Sequence, residues 1–205
     1  MGLAISGANF RWPNRTIPYA LDPDLGCDDE AAAAVEHWND KTCIRFVPHS
    51  GEADYVRLQR LPGYAISDVG RRGGMQKVAL GDSCSTGIII HELGHAVGLW
   101  HEHCRADRDL WVEVDWSNVK YKCEDNFKQG SICGEVVAIE DIGEYDYGSI
   151  MHYGDRSFAV DPRDPTLKLL RPVPPGVKVG QRDGLSPGDI AAVEAMYRDI
   201  PPGAG

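Results

Sequence analysis

Apolar residues keep a regular spacing up to Gly98 and lose it afterwards, which predicts two halves of different character. Residues 17–21 read as a strand, following Trp12 and a turn at Pro13 and Asn14. Asp28 can cap a helix in which alanines, Val35 and Trp38 recur at helical spacing. Residues 43–48, 55–59 and 77–80 read as further strands. Between them a glycine-rich stretch, 63–74, contains a short extended segment made of Ala65, Ile66, Ser67, Asp68 and Val69. The run from Thr86 reads as a second helix that stops at Gly98, because glycine takes the left-handed backbone that ends helices. Strand, helix, strands and helix in this order predict an N-terminal α/β lobe. Beyond Gly98, residues 107–114, a polar loop between Cys123 and Cys133, an acidic stretch at 140–147 and a proline-rich stretch at 162–184 predict a lobe made largely of loops. Ser186, Pro187 and Asp189 then form a capped helix start, with Ile190, Val193, Met196 and Tyr197 following on one face. The expectation is one domain, 1–205, of two lobes, about 1–98 and 99–205.

The second helix carries the candidate chemistry. Residues four apart share a helix face, so His91 and His95 point the same way with Glu92 beside them. This is the H-E-x-x-H arrangement of zinc hydrolases. A helix that continued would carry the next histidine off that face, whereas a turn at Gly98 brings His101 in as third ligand. Three protein nitrogens with one position left for water make a catalytic rather than a structural site, and one Zn2+ is the expected cofactor. Such an ion lowers the pKa of water from near 16 to about 7. Glu92, too close along the helix to be a fourth ligand, is placed to take the water's proton and pass it to the departing amine. His103 and His152 read as bystanders, since either would fill the open position.

Composition narrows the partners. A content of 42% hydrophobic and 25% charged residues is that of a globular protein. With 21 Lys+Arg against 31 Asp+Glu the net charge is −10, which argues against nucleic acid. No apolar run approaches the length of a membrane span. A protein or peptide substrate is the expected partner, and a monomer the default state. Residues 1–10 lack the basic start and apolar stretch of a secretory signal. Either the chain is cytosolic or a signal and pro-segment have been removed, and the residues before Trp12 read as an appended remnant. Six cysteines, an even number, suit disulfides in an oxidising compartment. Cys123 and Cys133 can close the polar loop they flank. Cys84 and Cys104 approach each other if the chain returns to the metal. Cys27 and Cys43 bracket a helix about 18 Å long, too far apart for a bridge whose Cα atoms lie within about 7 Å.

The stretch HELGHAVGLWHEHCRADRD, with Glu102 after the third histidine, resembles the zinc signature of the astacin family of metzincin metalloendopeptidases. A second landmark, SIMHYG, is similar to that family's Met-turn, with Met151 followed by Tyr153, and KTCIRFVP and LSPGDIAAVEAMY add further matches. The resemblance spans from about Trp12 to Tyr197. It implies a two-lobed α+β fold with a twisted, mostly parallel N-terminal sheet and two helices, then a C-terminal lobe of loops with one terminal helix. It further implies a secreted zinc endopeptidase, with the peptide lying antiparallel on the edge strand at Ala65 to Val69. Tyr153 would ligate the resting metal and swing to support the oxyanion, Met151 would form a hydrophobic base under the imidazoles, and Glu102 would receive the ammonium of the trimmed N-terminus through water. The family's usual bridges join the TCIRF cysteine to one near the C-terminus, and the cysteine before the zinc helix to one near Ala65. This chain has no cysteine at either partner position. Two other readings fit the residues: a peptide-binding module that keeps the metal as a structural pin, against which Glu92 and Tyr153 count, and another metzincin subfamily, against which Glu102 counts.

Overall fold

The computed structural model describes residues 2–203 except 64, 133, 134 and 137, and the backbone alone of 131, 132, 135 and 136. In chain order the strands and α-helices are β1 (Gly2–Ile5), β2 (Thr16–Leu21), α1 (Asp28–Lys41), β3 (Arg45–Pro48), β4 (Tyr55–Arg60), β5 (Ile66–Ser67), β6 (Met75–Leu80), α2 (Thr86–Val97), β7 (Leu99–Trp100), β8 (Val112–Val114), β9 (Ser131–Ile132), β10 (Glu135–Val136), β11 (Ile139–Ile142), β12 (Leu167–Leu169) and α3 (Pro187–Met196). A five-stranded sheet of order β3-β2-β4-β6-β5 organises the N-terminal part. Its first four strands are parallel, and the short edge strand β5 runs antiparallel to β6. Parallel strands bury a face under helices, and here α1 and α2 lie together over one face. Ile17, Val56, Leu58, Val78 and Leu80 from the strands meet Ala31, Trp38, Ile89, Ile90 and Leu93 from the helices in one core.

That core reaches past Gly98. Ile150, Met151, Ala192, Val193 and Tyr197 belong to it, so α3 packs against the elements that carry the site. A separate cluster of Val112, Val114, Val119, Phe127, Tyr145, Tyr147 and Leu167 fills the loop-rich part. The α3 start is as expected: Ser186 accepts from the Asp189 amide and Asp189 accepts from the Ser186 amide, a reciprocal capping box.

Three expectations need correction. The residues before Trp12 are integral: β1 is the middle strand of a sheet of order β11-β1-β7, with Leu3, Ala4 and Ile5 fully buried. The helix at residue 28 starts one residue earlier than a capping Asp28 requires. Cys27 occupies the cap position without a side-chain bond, and Asp28, Asp29 and Glu30 sit in the first turn, where their charge complements the helix dipole. Cys84 is bonded to Cys27, with Cα atoms 6.3 Å apart, and not to Cys104. The reason is tertiary: the starts of α1 and α2 lie side by side on one face of the sheet, an approach invisible in sequence spacing. The expected Cys123–Cys133 closure falls on Cys133, which lies outside the described residues.

Candidate active site

Helix α2 is held from several directions before any ligand is considered. Ser85 caps it by accepting from the Ile88 amide. The Trp38 indole donates to Ile90 O at 3.1 Å. At the other end, the last carbonyls that a helix leaves unpaired are met by the Trp12 indole, donating to Ala96 O at 2.8 Å, and by the Tyr197 hydroxyl, donating to Val97 O at 2.8 Å. Gly98 then turns the chain at φ 120°, its amide donating to Gly94 O and His95 O. A Cβ at Gly98 would sit 2.9 Å from Met196 Cε, so both backbone and space call for glycine. Strand β7 follows at once and delivers His101.

The turn brings the three expected histidines together. Ligand atoms of His91, His95 and His101 all lie within 4.8 Å of one another, and the ring centroids are 4.7 to 5.4 Å apart. All three are buried. His91 Nδ1–H donates to Ile150 O at 2.9 Å and His95 Nδ1–H donates to Leu99 O at 3.0 Å. A carbonyl can only accept, so these bonds place the proton on Nδ1 and leave each Nε2 lone pair free for a metal. Burial holds His95 down at about 4 and His91 and His101 well below the usual histidine range. Neutral imidazole is the form a metal requires. Two further buried atoms, His101 Nδ1 and Glu92 Oε2, have no hydrogen-bond partner among the described residues, which is costly unless a bound species engages them. Three neutral imidazoles with an unpaired carboxylate beside them fit a catalytic zinc.

Glu92 is 4% exposed, and burial pushes its carboxyl up to about 8, opposed by the Arg182 cation. Arg182 faces Tyr153 as well, and its backbone abuts α2: a Cβ on Gly87 would fall 1.7 Å from Arg182 O. Nothing in the sequence distinguishes this arginine from the others. Its place is set by the close approach that Gly87 permits.

The Met-turn region closes the site from below. Met151 Sδ lies against α2 at Gly94, where a Cβ would come within 2.9 Å. Met151 O accepts from the Glu102 amide at 3.1 Å, tying the turn to the residue after the third histidine. Asp189 also holds this turn, although the sequence marks it only as a helix-capping residue. Its carboxylate accepts from Ser149 Oγ at 2.6 Å and from the Ile150 amide at 2.9 Å while completing the α3 cap. Glu102 is fully buried, accepts from the Asp146 amide at 2.8 Å and lies 3.8 Å from Arg105 Nη1. Tyr153 is half-buried, its ring 4.5 Å from that of His101 and stacked on His103 at 4.1 Å.

His103 and His152 are engaged elsewhere, His103 with Asn126 O and His152 with the Tyr145 hydroxyl. Of the proposed substrate strand, Ala65, Ile66 and Asp68 are exposed while Ser67 and Val69 are buried. The strand is linked to α2 through the Gly70 amide, which donates to His95 O at 2.8 Å.

Comparison with known proteins agrees with this arrangement. The peptidase family described as astacin matches residues 4–198. The chain is 40% identical over 199 residues to zinc metalloproteinase nas-13 of Caenorhabditis elegans, covering 95% of this chain and 42% of that protein. It is 37% identical over 200 residues to nematocyst expressed protein 6 of Nematostella vectensis, covering 92% of this chain and 66% of that one. The chain thus spans between 42% and 66% of the length of these two relatives. Among solved structures, high choriolytic enzyme 1, a hatching enzyme zinc-protease from Oryzias latipes, superposes with a TM-score of 0.78 at 31% identity, covering 94% of this chain and 92% of that one. Myroilysin, at 22% identity and a TM-score of 0.64, shares the fold. The match begins within β1 and runs through the three histidines, the Met-turn and α3 alike, and the chain belongs to the astacin family.

Proposed function

We propose that residues 1–205 form a single catalytic domain, with lobes of about 1–98 and 99–205, that hydrolyses internal peptide bonds of proteins with one zinc ion. The observation that carries this reading is the convergence of three buried imidazoles with an unpaired, buried Glu92 carboxylate and the Tyr153 ring. His91, His95 and His101 would hold the zinc, which would supply Lewis acidity and lower the pKa of water toward neutrality. Glu92 accepts the proton of the attacking water and passes it to the amine nitrogen as the bond breaks. Burial pushes this carboxyl up to about 8, so a cation beside it is what keeps Glu92 ionised and able to take that proton. Tyr153 donates its hydroxyl proton in a hydrogen bond to the oxyanion, a contribution of about 3 kcal/mol or less.

The peptide lies along β5, at the sheet edge, where backbone groups of Ala65, Ile66, Ser67, Asp68 and Val69 pair with it as an added strand. Gly98, Glu102 and Met151 support the ligands. The substrate is a protein or peptide, and a monomer is the default state. The net charge of −10 speaks against nucleic acid, and no helix among the described residues is long and apolar enough to cross a membrane. The Cys27–Cys84 bridge supports a secreted enzyme, because such bonds persist in oxidising compartments.

The test is Glu92→Gln, assayed on a denatured protein. Cleavage by the parent should be blocked by a chelator, and the variant should bind zinc in the same stoichiometry while losing turnover by about three orders of magnitude or more. Undiminished cleavage by the variant would end this reading.

A further inference from the structure

Five residues beyond Tyr153 the backbone adopts a conformation its side chain disfavours. Phe158 has φ 56°, in the left-handed region that bulky residues rarely enter. Such strain persists only where the surroundings over-determine it, and functional sites are where it collects. Here both flanks are clamped. On the N-terminal side Asp155 O accepts from the amides of Thr166 at 2.7 Å and Leu167 at 3.0 Å, and Thr166 Oγ1 donates to Ser157 O at 2.8 Å. On the C-terminal side the Lys120 amide donates to Phe158 O at 2.9 Å, and the Val160 amide donates to Asn118 O at 2.8 Å.

The clamped backbone turns the Phe158 ring back toward the site. It lies 5.6 Å from the Tyr153 ring at 43°, and edge-on to Phe127 at 6.2 Å. Among the described residues four rings border Tyr153. His101, His103 and Phe127 are buried residues, whereas Phe158 is 39% exposed. A phenylalanine here carries two penalties at once, a left-handed backbone and a partly wetted ring, set against its ring contacts with Phe127 and Tyr153. What it does provide is a wall that limits where the half-buried phenol can go.

We propose that Phe158 is a positioning residue for Tyr153, its strained backbone holding an aromatic wall that keeps the phenol hydroxyl within reach of the reacting carbonyl. This rests on the reading of Tyr153 as oxyanion donor. The experiment is a double-mutant cycle on the zinc-loaded enzyme with a quenched fluorescent peptide, reading kcat, KM, zinc content and melting temperature.

Phe158→Ala should lower kcat by about 10- to 100-fold with KM within about threefold and zinc unchanged, as misplacement of a reacting group does. Phe158→Tyr should restore most of the rate. Phe158→Gly should be as slow as Phe158→Ala yet melt no lower, because glycine accepts the left-handed backbone. In a Tyr153→Phe background, adding Phe158→Ala should change kcat less than about twofold, since the two residues act as one unit. Should Phe158→Ala fail to fold, Phe158→Leu carries the same cycle. Wild-type kcat in Phe158→Ala, or effects that multiply in the double variant while Tyr153→Phe alone is slow, would overturn the role of Phe158. Wild-type kcat in Tyr153→Phe would instead remove the reading of Tyr153 on which it rests.

Discussion

The histidines of this chain are sorted by what their nitrogens touch. His152 is fully buried between the Tyr145 hydroxyl and Tyr153 O, and burial holds its pKa at about 4, below the ordinary value near 6.5. Between those two pH values the unfolded chain binds a proton that the folded chain refuses, so stability falls as pH falls through that window. His152 alone should cost roughly 1.4 kcal/mol per pH unit there, about 3 kcal/mol in all. Urea unfolding at pH 7 and pH 4.5 should show a shallower loss in His152→Gln than in the parent; equal slopes would assign the acid sensitivity elsewhere. Asp189 offers a second check. Replacing it with alanine strands the Ser149 hydroxyl and the Ile150 and Ser186 amides, and should cost on the order of 2–4 kcal/mol in denaturant unfolding. The grouping of His91, His95 and His101 was legible in sequence because one helix turn and one glycine fix their geometry. The second duty of Asp189 was not, because it depends on where a distant loop comes to rest.

At the scale of elements, the legible part was whatever local spacing decides: strands by their short apolar runs, α3 by its cap, α2 by its motif and terminating glycine. The strand β1 escaped because its partners β7 and β11 lie far along the chain, and its residues read as an appended remnant. The bridge between Cys27 and Cys84 escaped for the same kind of reason. It closes a loop with a sequence separation of 57, which chain-entropy arithmetic values at about 4 kcal/mol. Cys27→Ala/Cys84→Ala should therefore melt well below the parent in a calorimeter, and a reductant should lower the parent toward the same temperature. Gly98→Ala tests the turn itself. With φ 120° and Met196 Cε 2.9 Å from the added carbon, it should lose about 1–3 kcal/mol of stability and give up zinc to a competing chelator sooner.

For the whole molecule, the site is a junction and not a pocket in one unit. Two of the three clustered histidines come from a helix inside the main core, and the third follows a strand whose neighbour is β1. Deleting residues 2–6 should thus expose Trp100 and loosen His101 without touching a ligand, seen as weaker zinc retention alongside near-native helix content by circular dichroism. Leu3 pairs with Trp100 on one side and Asp141 on the other. During synthesis this segment waits for its first partner until about half of the chain is made and for its second until residue 142, and closures of such span are slow. The meeting place of the three histidines is accordingly incomplete until both halves of the chain are made, so that a partly made chain would lack the cutting centre proposed for it.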